Sequence, residues 1–430
     1  MKGKVDILLG LQWGDEGKGK QIDEIASNYD SIARFQGGPN AGHSYEYKGV
    51  TIIGHLMPSG SFHEHIDLIV GNGVVLNPYL FMKEFMDLKS KGIDVSKRLY
   101  ISERTKLLTY LHPYLDAADE VRLGKKAIGS TLTGIGPGYA DFKGRKISLV
   151  GDILRRDFHE SSAKFLHYQM FLLEMYATQW GYEIPYDKIA EKKIEWFEAI
   201  EQMKQFNICD VSELLRKKLA AGKRILAEGA QGVMLDNDLG DYPFTTSSNT
   251  LPANACLGLG FPHTAIGEVY GVMKAYTTKV GGGSFPSKIK DPEVEANFRK
   301  AGNEFGATTK RPRMCGWLDM VALKRAVYLS GITGLYINKV DICPVETIQV
   351  VTRYLDTENK PITNFPLHLE DVYNTETVDF DGWDNRAEGV DDVRDLPNEL
   401  VHYINYIESE LDVKIISLGT GKERGQSAPW

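Results

Sequence analysis

A chain of 430 residues that is 42% hydrophobic and 25% charged has the balance of an ordinary globular protein, which excludes a disordered or fibrous one. Its formal net charge of -8 argues against a broad basic surface for nucleic acid, so any basic patch must be local. The four cysteines, Cys209, Cys256, Cys315 and Cys343, form no CxxC pair, so neither a zinc site nor a disulfide framework is indicated and free thiols in a reducing compartment are expected.

At the N-terminus a basic start leads into an apolar run at 5–9, soon followed by Asp15 and Glu16. The run is too short for a signal peptide or a membrane span, which predicts a cytoplasmic protein with no membrane partner. Beyond it, short apolar runs alternate with longer amphipathic stretches. This alternation predicts an α/β fold with a mostly parallel central sheet flanked by helices, with strands at 5–9, 66–70, 224–227, 267–274, 334–338 and 413–417. Asn77 before Pro78, with Gly92 closing a periodic stretch, marks one helix from cap to stop, and Asp210 followed by Glu213 opens another. No repeat, low-complexity tract or linker divides the chain, so 1–430 is expected to form one domain. Four Gly-rich segments, 36–44, 129–138, 228–249 and 281–313, are expected to be long ligand-binding loops.

Three short motifs carry chemistry. GLQWGDEGKGK, 10–20, lies between the first strand and an apparent helix, where glycines let backbone N–H groups close on phosphates and Lys18 would reach the outer ones. Against the usual GxxxxGK[ST] loop, Gln12 replaces the first Gly, and Gly19 replaces the hydroxyl residue that holds magnesium. The metal then needs another ligand, and Asp15 is the candidate. The plainer reading, a glycine-rich turn carrying surface lysines, stays open at this point. FQGGPNAGHS, 35–44, places His43 in a loop, either as a solvated ring or as an acid and electrostatic stabiliser titrating near physiological pH. NKVD, 338–341, follows an apolar run at a predicted strand end. In GTP-binding proteins the Asp of this tetrapeptide accepts from N1–H and the 2-amino group of guanine, while the Lys stem lies along the base. Adenine would leave Asp341 unpaired at a cost of about 1–3 kcal/mol, which predicts a preference for GTP over ATP.

The string WGDEGKGK resembles the signature of the adenylosuccinate synthetases, and the resemblance continues to nearly the end of the chain. It implies a P-loop-like GTP site, with contacts from Gly14, Glu16, Gly17, Lys18, Gly19, Gly42, Ser44, Arg313, Lys339, Asp341, Ser417 and Gly419. It also implies that IMP meets Asp15, Asn40, Thr131, Arg145, Gln231, Thr246 and Arg311, and that L-aspartate meets Thr308, Thr309 and Arg311. Hydroxyls and a guanidinium suit a phosphate monoester, although any single Thr is more simply a solvated loop residue. The catalytic set implied is Asp15, Lys18, His43 and Gln231, with Mg2+ held by Asp15 and the Gly42 carbonyl. Asp15 would take the N1 proton of IMP, O6 would attack the γ-phosphate of GTP, and the aspartate amine would expel the phosphate from 6-phosphoryl-IMP. The family further implies a homodimer in which Arg145 enters the neighbour's IMP site.

The chain departs from the family pattern at Lys310 and around Leu132 and Thr133, and Thr420 with Gly421 reads as an insertion. The KRPR run at 310–313 would ordinarily be a solvated face, but an acidic protein and the preceding GATT favour an anion clamp. Two alternatives differ in kind: a relative joining aspartate to dGMP, often with ATP, and a regulatory GTP-binding switch. Asp15 together with NKVD speaks against the first, and the Arg loop with its Thr/Gln/Arg constellation against the second.

Overall fold

The run Val5–Gly10 is buried along its whole length, as a strand covered on both faces must be. In the computed structural model, which describes residues 3–47, 49–306 and 311–430, this strand is the middle of a large sheet. Its strands in chain order are β1 (Val5–Gly10), β2 (Ser31–Arg34), β3 (Asp67–Val70), β4 (Leu99–Ser102), β5 (Asn207–Cys209), β6 (Ile225–Gly232), β7 (Ile266–Lys274), β8 (Gly334–Asn338), β9 (Ile415–Gly419) and β10 (Ser427–Pro429). They lie in the order β10-β9-β8-β7-β1-β6-β2-β3-β4-β5, every pair parallel except β9 with β10. Side chains of β1 alternate between two cores. Val5, Ile7 and Leu9 join one apolar cluster, while Leu8 joins the other with Ile22, Ile32, Phe81 and Trp196.

Helices cover both faces. The helix Pro78–Ser90 is capped by the Asn77 side chain accepting from Leu80 N at 3.2 Å, and Gly92 beyond it has φ 81°. Asp210 caps Val211–Ala220 in the same way, accepting from Glu213 N at 3.2 Å. Both follow the sequence expectation. Among the described residues no helix is long and apolar enough to cross a membrane, and all four cysteines are free.

Three expected loops contain more regular structure than their glycines suggest. β6 runs on through Gly232 and takes the first residues of 228–249, because pairing beside β1 satisfies its backbone through Glu228 and Gly232. Helix Pro292–Ala301, capped by Asp291, lies within 281–313, and helix Ile135–Lys143 begins before 129–138 ends. The parallel strands β1, β6, β7, β8 and β9 all end at one edge of the sheet, where ligands of open α/β sheets bind.

Candidate active site

Over that edge lies a cavity of about 1660 Å³, larger than a pocket for one small molecule. Its floor is the loop after β1. Gly14, Asp15 and Gly17 have φ values of 86°, 62° and 88°, and Gly17 is the residue from which helix Lys18–Ile25 starts. Such a turn aims successive N–H groups into one concavity and places a helix N-terminus beside it. Glu16 keeps the turn in shape. Its carboxylate is fully buried, accepts from Gln12 N at 3.1 Å and Gly14 N at 2.8 Å, and pairs with Lys18 Nζ at 2.6 Å. A Cβ at Gly10 would stand 2.1 Å from Glu16 Oε2, so that glycine makes room for the carboxylate. Glu16, expected as a nucleotide contact, thus turns its side chain away from any ligand and can offer only its backbone.

The NKVD segment is tied to this loop by its first residue. Asn338 Nδ2 donates to Glu16 O at 2.7 Å, and its Oδ1 accepts from Gln21 Nε2 at 2.7 Å. Lys339, at φ 63°, places Nζ 3.1 Å from Gly302 O. Asp341 lines the cavity with Oδ1 buried and without a hydrogen-bond partner from another residue, and burial raises its pKa. Lys20, from the helix that follows the loop, holds the C-terminal loop by Gly421 O at 2.8 Å and Gln426 O at 2.7 Å.

His43 enters from strand His43–Tyr47 with Nδ1 3.0 Å from Glu228 Oε1. Ser59 donates to Glu228 through N at 2.7 Å and Oγ at 3.0 Å. Burial alone would raise the Glu228 carboxyl, but His43 and Arg34 hold it below its ordinary value. Beside them, Asn40 Nδ2 donates to Thr246 Oγ1 at 3.3 Å. Asn40 Oδ1 and both amide atoms of Gln231 are buried with no partner among the described residues. Thr131 shares a hydroxyl contact of 2.8 Å with Thr133 at the cavity wall. That loop is shaped by Glu120, which accepts from the amides of Ile128, Gly129 and Ser130 at 3.1, 2.9 and 3.2 Å.

Arg313 Nε lies 2.7 Å from Asp15 Oδ2 without the alignment of a hydrogen bond, while its Nη1 donates to Glu304 Oε2 at 2.7 Å. Glu304 is fully buried and also receives Lys274 Nζ at 2.8 Å and Tyr276 OH at 2.6 Å. Its burial favours the neutral acid, yet Lys274 and Arg313 together hold its pKa at about 2.

The structure therefore gathers Gly14, Asp15, Glu16, Gly17, Lys18, Gly19, Asn40, Gly42, His43, Thr131, Gln231, Thr246, Arg313, Lys339 and Asp341 around one cavity. Four expected residues lie off its wall. Arg145, at φ 60° just past helix Ile135–Lys143, and Arg311 are exposed. Ser417 donates its hydroxyl to Ala428 O at 3.2 Å within the sheet, and a Cβ at Gly419 would meet Asn338 Oδ1 at 2.4 Å. From the C-terminal segment it is Gly421, Lys422 and Gln426 that reach the cavity. Ser44 contributes backbone to strand His43–Tyr47, and Thr308, Thr309 and Lys310 lie outside the described residues. Sequence reading missed Glu228, Glu304, Lys274 and Asn338 as site residues. Only Asn338 had a local signal, its place at the head of NKVD.

A family model for adenylosuccinate synthetase matches residues 7–428. The adenylosuccinate synthetase of Flavobacterium johnsoniae is 46% identical over 425 residues, 98% of this chain and 99% of its own. That of Parabacteroides distasonis is 43% identical over 427 residues, 98% of each chain. Among solved structures, fully ligated adenylosuccinate synthetase from Plasmodium falciparum matches with a TM-score of 0.91 at 31% identity, covering 100% of both chains. Succinoaminodeoxyadenylate synthetase of cyanophage S-2L, bound to dGMP and dATP as an energy donor, matches with a TM-score of 0.63 at 17% identity over 100% of this chain and 96% of that one. The last is a likeness of fold alone.

Proposed function

We propose a division of labour among these residues, on the premise that the chain belongs to the adenylosuccinate synthetase family and performs its ligase reaction, the GTP-dependent joining of L-aspartate to IMP in AMP biosynthesis. GTP lays its phosphates on the amides of Gly14, Gly17 and Gly19 and on Lys18, and presents its base to Asp341 beside Lys339. The observation that carries this assignment is the unpartnered Asp341 Oδ1. A buried carboxylate oxygen without a donor is costly, and the two donors on the guanine edge supply what it lacks. Because Asn338 ties NKVD to the Glu16 carbonyl, base and phosphates are read by one connected frame.

IMP occupies the side of Asn40, Gln231 and Thr246, where three more buried polar atoms wait for partners. Asp15 takes the N1 proton and O6 attacks the γ-phosphate. Glu228 fixes the His43 ring through Nδ1, and the ring with Lys18 spreads the charge developing on the phosphoryl group. The aspartate amine, with its carboxylates on the Arg311 side, then expels phosphate from C6. The donor set fits magnesium: the Asp15 carboxylate and the Gly42 carbonyl are hard oxygens, and no group of three metal-binding side chains exists among the described residues. An ion that takes most of its ligands from phosphates and water suits such a site, and when bound it would neutralise charge on the transferring group.

Chain 1–430 works as one unit in the cytoplasm and as a homodimer. Lys146, next to Arg145, donates to Tyr168 OH at 2.9 Å, which places the Arg145 turn against helix Phe158–Trp180. That helix exposes Tyr168, Phe171 and Met175 at 36%, 58% and 37%, and Tyr168 and Leu172 also border the cavity. A second copy covering this apolar face brings its own Arg145 to the IMP phosphate beside Thr131. The reaction is tested by incubating the protein with GTP, Mg2+, IMP and L-aspartate. Adenylosuccinate, GDP and phosphate are expected; GTP turnover without IMP and aspartate would point to a switch, and use of dGMP with ATP to the other ligase.

A further inference from the structure

The charges of Glu304, Lys274 and Arg313 form a buried group in the cavity wall. Glu304 is 0% exposed and Lys274 2%, joined by contacts of 2.8 and 2.9 Å, with Tyr276 OH adding 2.6 Å and Thr278 Oγ1 accepting from Lys274 at 2.8 Å. Gly302 permits this closeness, since a Cβ there would stand 2.2 Å from Tyr276 OH. Burying charges is expensive, and replacing such a group by apolar residues is often neutral or stabilising, so stability alone does not account for it. Glu304 and Arg313 are further locked together by Arg313 N donating to Glu304 O at 3.0 Å. Arg313 is thereby held through Nη1 on Glu304, with its Nε buried 2.7 Å from Asp15 Oδ2 but out of line for a hydrogen bond.

We propose that Glu304 is a positioning residue for the ligase reaction. Anchored by Lys274 and Tyr276, it holds Arg313 so that the guanidinium lies beside Asp15 with Nε out of hydrogen-bond alignment and the edge that could fork onto that carboxylate turned off line. Without this restraint Arg313 would fork onto Asp15, the geometry guanidinium and carboxylate prefer, and tie up the group that must take the substrate proton. The inference rests on the reading of Asp15 as the base.

Two variants test it. Glu304→Asp keeps every charge and withdraws the carboxylate by one methylene, while the pair Lys274→Met with Glu304→Gln removes the buried charges together and leaves Arg313 without its holder. For either variant, once its thermal melt shows a folded protein, kcat should fall roughly 100-fold with the KM values for GTP, IMP and aspartate within about threefold, the signature of a misplaced group rather than lost binding. A merely structural role predicts instead that the paired variant regains activity along with its fold. Near-normal kcat in either folded variant, or a loss carried by KM, overturns the proposal. If Asp15→Asn also retained turnover, the reading of the base would fall; if Asp15→Asn were inactive, only the role of Glu304 would.

Discussion

The two sides of the cavity are built differently. On the phosphate-loop side the loop itself is wired within the protein: Glu16 carries two loop amides and Lys18, and Asn338 carries the Glu16 carbonyl and Gln21, while Asp341 Oδ1 beyond it has no partner. On the other side Asn40 Oδ1 and the Gln231 amide are buried without partners, and Arg145 and Arg311 stand exposed. The first surface holds its shape before any ligand arrives. The second keeps buried polar atoms at Asn40 and Gln231 without partners, which on the proposed reading IMP satisfies. On the proposed function, preorganisation falls where charge develops during phosphoryl transfer, and unmet hydrogen-bonding capacity, at Asn40, Gln231 and Asp341, where specificity is decided.

The strongest attempt to break this contrast is Asp15→Asn. If Glu16 and Asn338 alone maintain the loop, the variant folds and still binds GTP while adenylosuccinate formation falls on the order of 10³-fold. Near-normal synthesis would remove Asp15 from the chemistry. Glu16→Gln probes the wired side directly. It leaves Lys18 buried opposite a neutral partner, which should cost about 3–5 kcal/mol in denaturant unfolding, whereas Gln231→Leu, deleting atoms that are unpaired in the free protein, should leave stability unchanged or improved while weakening IMP. Equal stability losses would erase the distinction between the sides.

A mixture tests whether the incomplete side is finished by a neighbour. Arg145→Ala and Asp15→Asn chains, each nearly inactive, should recover roughly a quarter of wild-type activity after random subunit exchange, since half the dimers are mixed and each holds one intact site. Activity no greater than the sum of the separate variants, with exchange confirmed, would show that Arg145 does not act across an interface.

The smallest effects concern Asp341. Asp341→Asn should weaken GTP by about 1–3 kcal/mol and improve xanthosine triphosphate, whose C2 carbonyl accepts where guanine donates. Unchanged GTP use would remove NKVD from base reading. The same substitution should stabilise the ligand-free protein by a few degrees or less in melting temperature. The sign follows from burial, which raises the folded pKa of Asp341. Its contribution to stability is present below the unfolded value of about 3.9 and is lost as pH rises through the raised folded value, so the gain from Asn should appear at neutral pH and fade in acid. A gain independent of pH would mean that the ionised carboxylate is not the source.

Much of this was legible in the residues themselves. The caps at Asn77 and Asp210, strand Gly334–Asn338 and the turn at 14–17 rest on interactions between near neighbours in the chain, so spacing and residue type announce them. β2, β4, β5 and β10 were not read, because such short runs are defined by the strands beside them, whereas β3, equally short, follows Ile66 in a mostly apolar run. The catalytic surroundings divide in the same way. WGDEGKGK and NKVD alone point to the proposed phosphate loop and base reader, and both segments line the cavity. Which carboxylate pairs with His43, which buried acid pairs with Arg313, and that the Ser417 hydroxyl is taken up by the edge strand were decided only when distant segments packed together, since a contact such as Glu228 with His43 or Glu304 with Lys274 depends on sheet order and leaves no local pattern in either partner.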